Sequence, residues 1–595
     1  MHFCYAGAER LLGIKPSYDE VRIRLEGSSV LEVLDLVGRM DAMLYAGAQG
    51  DRETQRRIAF GLFGDTAQVI LRRIMIRQER DHRDGHSPTE YLLFTQASLA
   101  ALVQVAAAHL PLQGHSGDHR PRYQRLGEAL LIIHDLIDGN EPSNPAGMPV
   151  NTEEGLRVWA YYTAVVAAEL GYGPSVHAVA RSVELFLSPH PELVEDASYV
   201  DLASLFTSAT GLSQDEYALA LFAFFGSVLR VTPDNVANTS AAITFDALRE
   251  PELELSPEKI QRFFDLVGEP ANAFCDRVKA HYPLAAIVPG DRLPLEQSPM
   301  VQFGEHVVCL SVRLLERRLT DGLYHVLLNA NPFGESAARQ RVQRFLGRVF
   351  EEYVVASVRR IATEQQRKHR TKVRVWNEKE LQAACPYAKG KTSSVCDAAL
   401  LVGNDLFLIE AKAKMFSLAV RTGGARDAFF EKVSEIAVDG VRQIESTLQL
   451  LNAGVFDGLG LNFRKVKRVF PIVVSLQHIS VTAWLQAWID RELCVRGVLQ
   501  NQTGRPAVQA PLLMDAEGLE YVELCGEAGD KLARVIASRF KTTIAAGLSV
   551  SNWSAQNDLA RKRDRSARIR HHAAVYGRLG EKLLARGNER AATEG

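Results

Sequence analysis

Two acidic side chains and a lysine in the second half of the chain could together bind a metal ion and hydrolyse a phosphate ester. They are Asp397, Glu410 and Lys412. Oxygen ligands alone favour a hard divalent ion such as Mg²⁺ or Mn²⁺ over zinc. A lysine beside such an ion can orient or deprotonate an attacking water, or stabilise a pentavalent phosphate. These three residues are therefore the parts needed to hydrolyse a phosphodiester.

A β-hairpin is predicted around these residues. Two apolar runs, Val395–Val402 and Leu406–Ala411, are separated by Gly403-Asn404. Gly-Asn between two runs rich in strand-forming residues is typical of a two-residue hairpin turn. The length of that turn fixes the pairing register of the two strands.

The predicted register places Asp397 directly across from Glu410. Because side chains alternate along a strand, Lys412 shares the face of Glu410. Opposed carboxylates repel each other, and burial among apolar neighbours makes the pairing more costly. A bridging divalent cation would remove that repulsion.

The segments around the hairpin have the order helix, strand, hairpin, helix, strand. Apolar residues recur every three or four positions over Ala337–Thr363, which predicts a helix, and a second helix is predicted over about Ala425–Leu451. Val373–Trp376 and Val469–Ser475 are predicted strands. These elements would position the hairpin in a mixed α/β domain.

The motif resembles that of the PD-(D/E)XK (restriction-endonuclease-like) nuclease superfamily. Asp397 matches the first acid of the family, and Glu410-Ala411-Lys412 matches its E-x-K. The resemblance covers roughly residues 336–480 and implies an αβββαβ core with a mixed sheet. It implies that Asp397, Glu410 and the Ala411 carbonyl hold Mg²⁺ or Mn²⁺, and that Lys412 positions the water.

Two further residues match positions that the family often uses. The first helix commonly carries another acidic ligand in a G-x-x-x-E setting, which Gly347 to Glu351 fits. Glu352 is an alternative to Glu351, and the helical wheel does not decide between them. Gln443 on the following helix would steady the site. Cys396 stands in place of the family's proline, which affects subfamily assignment more than catalytic competence.

The whole chain is predicted to be multidomain, with an all-α N-terminal domain followed by the α/β nuclease-like domain. Helical periodicity dominates residues 1–285, whose purpose as a recognition or regulatory domain is unknown. Glycine and proline breaks mark a connecting region with a short strand at 286–335. The nuclease-like domain is placed at 336–550, and a basic tail at 551–595.

Composition and charge exclude several classes of protein. The 595 residues are 47% hydrophobic and 24% charged, which excludes collagen-like and wholly disordered chains. Seven scattered cysteines indicate neither a disulfide framework nor a zinc knuckle. No apolar stretch reaches the ~20 residues that span a bilayer, so we expect a cytoplasmic protein that does not bind membranes.

Any nucleic-acid signal must come from local clusters, because the formal net charge is only −2. Basic residues before and after the hairpin are candidates for contact with a phosphate backbone. They are Arg370, Lys372, Lys389, Lys391 and Lys414.

The leading hypothesis is a Mg²⁺-dependent DNA endonuclease, of the kind used in prokaryotic restriction or anti-phage defence. A DNA-repair or mobile-element nuclease would have the same sequence features. A non-catalytic nucleic-acid-binding or assembly protein that retains the fold is the alternative from another class. The helical N-terminal domain could bind a protein partner, and the sequence leaves the oligomeric state, and the choice of DNA or RNA, open.

Overall fold

The computed structural model describes most of the chain between residues 2 and 537, and every structural statement below concerns the described residues. Their ranges are 2–5, 7–47, 51–83, 89–113, 120–140, 152–161, 164, 176–230, 236, 240–244, 255–282, 292–329, 336–385, 395–417, 420, 426–479, 481–499, 506–537, 570 and 574. The basic tail at 551–595 lies outside this set except for two residues, and Lys389 and Lys391 lie outside it as well.

Helices form most of the described chain. They are α1 (Ala8–Leu12), α2 (Tyr18–Leu25), α3 (Val30–Gly47), α4 (Arg52–Phe63), α5 (Thr66–Arg83), α6 (Gln96–His109), α7 (Arg120–Asn140), α8 (Glu153–Tyr161), α9 (Val176–Ser182), α10 (Leu202–Thr210), α11 (Gln214–Arg230), α12 (Pro257–Val267), α13 (Ala271–His281), α14 (Leu293–Gln297), α15 (Val312–Arg317), α16 (Asp321–Asn329), α17 (Ser336–His369), α18 (Glu378–Ala384), α19 (Arg426–Val433), α20 (Asp439–Asn452), α21 (Ala483–Val495) and α22 (Ala516–Glu527). A π-helical segment, Val183–Leu187, continues α9, and another, Ser434–Val438, joins α19 to α20.

Twelve strands form three sheets among the described residues. They are β1 (His2–Tyr5), β2 (Thr89–Leu92), β3 (Ala242–Thr244), β4 (Gly268–Pro270), β5 (Met300–Phe303), β6 (His306–Cys309), β7 (Val373–Asn377), β8 (Ala398–Val402), β9 (Asp405–Lys412), β10 (Arg468–Ser475), β11 (Ala507–Val508) and β12 (Leu512–Asp515). Strands β1 and β2 pair alone, and a four-stranded sheet has the order β3-β6-β5-β4. The largest sheet has the order β7-β8-β9-β10, and β10 also pairs with both β11 and β12.

The large sheet is mixed and contains the predicted hairpin. Strand β8 is antiparallel to β7 and to β9, whereas β10 is parallel to β9, β11 and β12. The hairpin ladder runs from Val402 opposite Asp405 to Ala398 opposite Ile409. This is the predicted register, and Gly403 in the turn has the positive φ of 63° that favours glycine. The hairpin prediction is therefore confirmed.

Helices cover both faces of this sheet, because alternate residues of its central strand pack into two apolar clusters. Phe407 and Ile409 of β9 pack in the cluster that contains residues of α17 and α22. Leu406 and Leu408 pack in the cluster that contains residues of α19, α20 and α21. A strand that is apolar on both faces is typical of a sheet between two helical layers.

The elements over residues 336–475 follow the predicted order, with one addition. Helix α17 extends beyond the predicted Ala337–Thr363 to His369, and the second predicted helix is the run α19 to α20. The short helix α18, which follows β7 directly, was not predicted. It starts with a capping box in which Asn377 and Glu380 each accept a hydrogen bond from the other's backbone N–H.

The prediction of an all-α N-terminal half is wrong in detail, because β1 to β4 fall within residues 1–285. These strands have three or four residues, which is too short for a period of two to stand out against the surrounding helical pattern. The connecting region at 286–335 contains two strands, β5 and β6, where one short strand is predicted. Helices nevertheless dominate this half.

One apolar cluster joins the helical half to the large sheet. It contains Phe206, Phe224 and Phe263 of α10, α11 and α12 together with Phe345 of α17 and Phe407 of β9. Within the described part of the chain, no helix is long and apolar enough to cross a membrane.

Candidate metal centre

The hairpin brings Asp397 and Glu410 together at one edge of the large sheet. Asp397 lies one residue before β8, in register with Glu410 of β9. The Ala411 backbone N–H donates to Asp397 Oδ2 at 2.6 Å, which fixes that carboxylate at the end of the hairpin. The exposed fractions are only 7% for Asp397 and 2% for Glu410. Two acids are therefore buried side by side, as predicted.

Glu410 has one oxygen bound and one without a partner. The Lys412 ammonium donates to Glu410 Oε1 at 2.6 Å, so the two side chains share a face of the strand. Glu410 Oε2 is buried and has no hydrogen-bond partner among the described residues. Burial, and then the negative charge of Asp397, raise the pKa of Glu410 well above its ordinary value. A buried carboxylate oxygen without a partner is costly, and a cation would satisfy it.

Helix α20 holds the lysine from the opposite side. Lys412 Nζ also donates to Gln443 Oε1 of this helix. The same helix fixes the start of β8, since the Cys396 backbone N–H donates to Thr447 Oγ1 at 2.8 Å. The structure therefore places Gln443 beside Lys412.

The first helix supplies a third acid, and the geometry selects Glu351 over Glu352. Glu351, Asp397 and Glu378 each offer a carboxylate oxygen, and these three oxygens lie within 4.8 Å of one another. Burial, and then the charge of Asp397, raise the pKa of Glu351 to about 8. Burial also raises the pKa of Asp397 to about 6. Glu352 does not belong to this group.

Arg348, one turn before Glu351, is a resident cation of the cluster. Its guanidinium donates to Glu351 and, at 2.9 Å, to Glu378. Its Nε also lies 3.6 Å from Asp196 Oδ2, which belongs to the helical half of the chain. Asp196 is itself held by the backbone and hydroxyl of Ser198. A loop of the helical half thus reaches the edge of the acidic cluster.

The charges of the cluster do not balance. Four carboxylates, those of Glu351, Glu378, Asp397 and Glu410, face two basic side chains, Arg348 and Lys412. When all of these groups are ionised, two negative charges are uncompensated in a largely buried site. One divalent cation would neutralise them, and without it the carboxyls of Glu351, Asp397 and Glu410 retain protons, in line with their raised pKa values. The donor set contains oxygen only, which suits Mg²⁺ or Mn²⁺.

A second group at the same sheet edge contains a histidine. Parallel pairing sets Lys412, Ser475 and Asp515 at the ends of β9, β10 and β12. The His478 ring binds the Asp515 carboxylate, whose other oxygen accepts the N–H of Gly518. The charge of His478 lowers the pKa of Asp515 against the effect of its burial. Both oxygens of Asp515 are therefore bound, whereas Glu410 Oε2 has no partner among the described residues.

Of the three predicted phosphate-contacting residues that the structure describes, two lie away from this edge. Lys372 lies at the turn of the hairpin, where its carbonyl accepts the Gly403 N–H, roughly 20 Å along the strand from Asp397. Arg370 lies beside it, exposed and with a positive φ of 48°. Lys414 is close to Lys412 in sequence but is paired with Glu435 at 3.2 Å. The distance along the hairpin separates Arg370 and Lys372 from the acids.

Sequence reasoning missed Glu378, Arg348 and Asp196. The capping box around α18 was a usable signal for Glu378, because it marks a helix start directly after a strand. Arg348 lies inside the Gly347–Glu351 motif but carries no signal of its own. Asp196 is distant in sequence, and only the packing of the two halves brings it to Arg348.

Comparison of the chain with family models, with curated proteins and with solved structures finds no match.

Proposed function

We propose that this protein is a metal-dependent nuclease that hydrolyses phosphodiester bonds, with DNA as its substrate. The observation that carries the proposal is the buried convergence of Asp397, Glu410 and Glu351 beside Lys412 at one sheet edge. Acidic groups that repel each other in a buried site are typical of a place where a cation is meant to bind. Lys412 adds a cation that can orient the attacking water and stabilise the negative charge on the phosphate.

Three carboxylates would hold the metal ion, and the carbonyl of Ala411 would complete their set. Asp397 is already oriented by the Ala411 N–H, and Glu410 Oε2 is the buried oxygen that lacks a partner. The Glu351 carboxylate, which α17 provides, would bind the ion in place of its hydrogen bond with Arg348. Mg²⁺ or Mn²⁺, when bound, supplies Lewis-acid polarisation of the phosphate and a lower pKa for water.

Lys412 would orient the attacking water and stabilise the negative charge that develops on the phosphate. Its ammonium group is held between Glu410 and Gln443, so its position is fixed before substrate arrives. Gln443 acts as a positioning residue through this contact. Such preorganisation is what makes a charged group effective in a site with little water.

The element order gives further support. A long helix, three strands, a helical run and a parallel fourth strand follow one another over residues 336–475. This order is similar to the αβββαβ core of the PD-(D/E)XK superfamily, with α18 as an insertion. Asp397 and Glu410-Ala411-Lys412 lie together at the hairpin of this core, which supports the proposed relationship.

Cleavage of supercoiled plasmid by the purified full chain tests the proposal. We expect Mg²⁺-dependent nicking that falls by about 100-fold or more in Asp397→Asn and Lys412→Met. Glu352→Gln, on the same helix as Glu351 but outside the cluster, is the control and should cleave like the wild type. Equal cleavage by Asp397→Asn and the wild type would refute the assignment.

Calorimetry with Mg²⁺ or Mn²⁺ separates a nuclease from a non-catalytic nucleic-acid-binding protein with the same fold. The proposal requires saturable metal binding that is lost in Asp397→Asn. DNA binding without any metal binding would favour the non-catalytic alternative.

A role in prokaryotic restriction or anti-phage defence is proposed by analogy, since a helical domain joined to such a nuclease is an arrangement suited to sensing and cutting. Survival of cells under phage challenge should be higher with the intact protein than with Glu410→Ala. Equal survival would instead favour a function in repair or mobile-element processing.

A further inference from the structure

A groove between α4 and α5, far along the chain from the acidic cluster, has the features of a binding surface. Its volume is about 530 Å³. One wall carries Arg52, Arg56 and Phe60 of α4 at helical spacing, and the other carries residues 68–79 of α5 at spacings of three and four. Leu92 and Leu93, at the end of β2, are buried and close the floor.

Exposed apolar side chains concentrate on these two helices. Of the eight large apolar side chains that are exposed in the described chain, four lie here: Phe60 and Met75 in the lining of the groove, and Val69 and Ile76 outside it. Met75 is 59% exposed and lines the groove together with Phe60. Apolar side chains clustered around a groove are typical of an interaction site, whereas single exposed ones need no explanation.

The charge of the two helices is strongly positive and comes from arginine alone. Residues 52–83 contain eight arginines and no lysine. Arg52, Arg56 and Arg72 line the groove, with Glu79 as its single acidic side chain. Among the described residues, Arg72 has no ion-pair partner. Arginine binds carboxylates through two parallel hydrogen bonds, so the rim is complementary to acidic side chains.

The shape and the floor favour a helical ligand over a nucleic acid. A groove between two neighbouring helices accepts the ridge of a third, with contacts every three or four residues. The floor is aliphatic, and the one aromatic ring that lines the groove, Phe60 on the α4 wall, is covered by the Arg56 guanidinium. The groove therefore has no free aromatic ring on which a base could stack. A nucleic acid bound to the arginine rim through its phosphates would leave the apolar floor exposed to water.

We propose that the α4–α5 groove binds an amphipathic α-helix of a protein partner, with its apolar stripe on Met75 and Phe60 and acidic side chains on the arginine rim. This surface is independent of the proposed nuclease chemistry. It would give the helical half a role in recognising a partner.

Selection from a displayed library of helical peptides against the full chain tests the proposal. Selected peptides should carry apolar residues at i, i+3 or i+4, and i+7, flanked by Glu or Asp. Their dissociation constants should rise about tenfold or more in Met75→Asp and in Arg72→Glu. Ile76→Asp and Arg80→Glu change the same helix outside the groove and should bind like the wild type.

Two results would overturn the proposal. One is a set of selected peptides that lack this pattern or bind Met75→Asp as tightly as the wild type. The other is displacement of the peptides by a 20-nucleotide single-stranded DNA, together with loss of DNA binding in Arg72→Glu and in Met75→Asp. That result would make the groove a nucleic-acid site. The thermal unfolding midpoint of each variant confirms that the fold is retained.

Discussion

At the scale of single residues, the acidic cluster is defined by which carboxylates are buried together. Glu351 contributes an oxygen to the group with Asp397 and Glu378, whereas its neighbour Glu352 does not. The sequence could not separate these two acids. Their roles in metal binding should therefore differ strongly.

Replacing Glu351 with Gln should weaken Mg²⁺ binding by about tenfold or more, because a charged ligand is lost from the metal's own shell. The same change at Glu352 should leave the affinity unchanged. Titration calorimetry with Mg²⁺ measures both variants under identical conditions. Equal loss of affinity in the two variants would show that Glu351 is not the ligand from this helix.

The raised pKa values predict how stability and metal binding change with pH. Glu351 and Asp397 have pKa values of about 8 and 6, above their ordinary values of 4.5 and 3.8. The folded chain therefore keeps protons that the unfolded chain has released, and the free energy of unfolding should fall as pH rises from about 4 to about 8. Mg²⁺ binds the ionised carboxylates, so its affinity should rise over the same window.

Thermal unfolding at pH 5 and pH 8, with and without Mg²⁺, measures this effect. Without metal, the loss of stability towards pH 8 should be smaller in Glu351→Gln than in the wild type, and saturating Mg²⁺ should reduce it in the wild type. Identical pH profiles for the variant and the wild type would contradict the assignment of the raised pKa to Glu351.

The hairpin allowed much of the site to be predicted. A Gly-Asn turn of known length fixed the register, and the register alone placed Asp397, Glu410 and Lys412 together. The contribution of Arg348 and Asp196 could not be predicted in this way. It depends on packing between parts of the chain that are about 150 residues apart, for which a single sequence carries no pattern.

At the scale of elements, the approach of α20 to the sheet decides the position of Gln443. A Cβ at Gly440 would lie 2.9 Å from both methyl carbons of Val473 on β10, so glycine is required for this close contact. Gly347 of α17 differs, since a Cβ there would meet nothing within 4 Å. The glycine of the G-x-x-x-E motif is therefore not needed for packing.

Gly440→Leu should force α20 away from β10 and lower the free energy of unfolding by about 1–3 kcal/mol. It should also reduce cleavage, because Gln443 would leave Lys412. Gly347→Ala is the matched control and should be neutral or stabilise by up to about 1 kcal/mol through helix propensity. Urea denaturation measures the loss of stability, and plasmid nicking measures the loss of cleavage. A Gly440→Leu variant with wild-type values in both assays would show that Gly440 is not needed for the close contact with Val473.

Long periodic elements were predictable and short ones were not. Helix α17 and the run α19 to α20 have enough turns for a clear apolar repeat, and β10 has a continuous apolar run. Strands β1 to β4 have too few residues for a repeat to appear. These short segments are extended because they pair with other strands, and their own sequence does not show it.

At the scale of the whole molecule, the helical half is bound to the large sheet through buried charges as well as apolar contacts. Arg181 of α9 donates to Glu520 of α22 at 2.8 Å, and Tyr353 of α17 donates to the same carboxylate. Burial raises the pKa of Glu520 to about 7, although Arg181 opposes this effect. Another ion pair between the halves, Arg491 with Glu153, is largely exposed.

Arg181→Met should lower the free energy of unfolding by about 3–5 kcal/mol, because Glu520 would be left buried without its cation. Arg491→Met removes an exposed pair and should cost at most about 1 kcal/mol. Urea denaturation of both variants makes the comparison direct. Similar losses in the two would show that the Arg181 pair is no more important than a surface contact.

Anomalous scattering from a crystal soaked in Mn²⁺ tests directly whether the acidic cluster binds a metal ion. We expect one strong peak within coordination distance of the carboxylates of Asp397 and Glu410, with Glu351 turned from Arg348 towards the ion. The same soak of Asp397→Asn crystals should show no peak there. A wild-type map with no peak between these two carboxylates would contradict the metal-dependent mechanism.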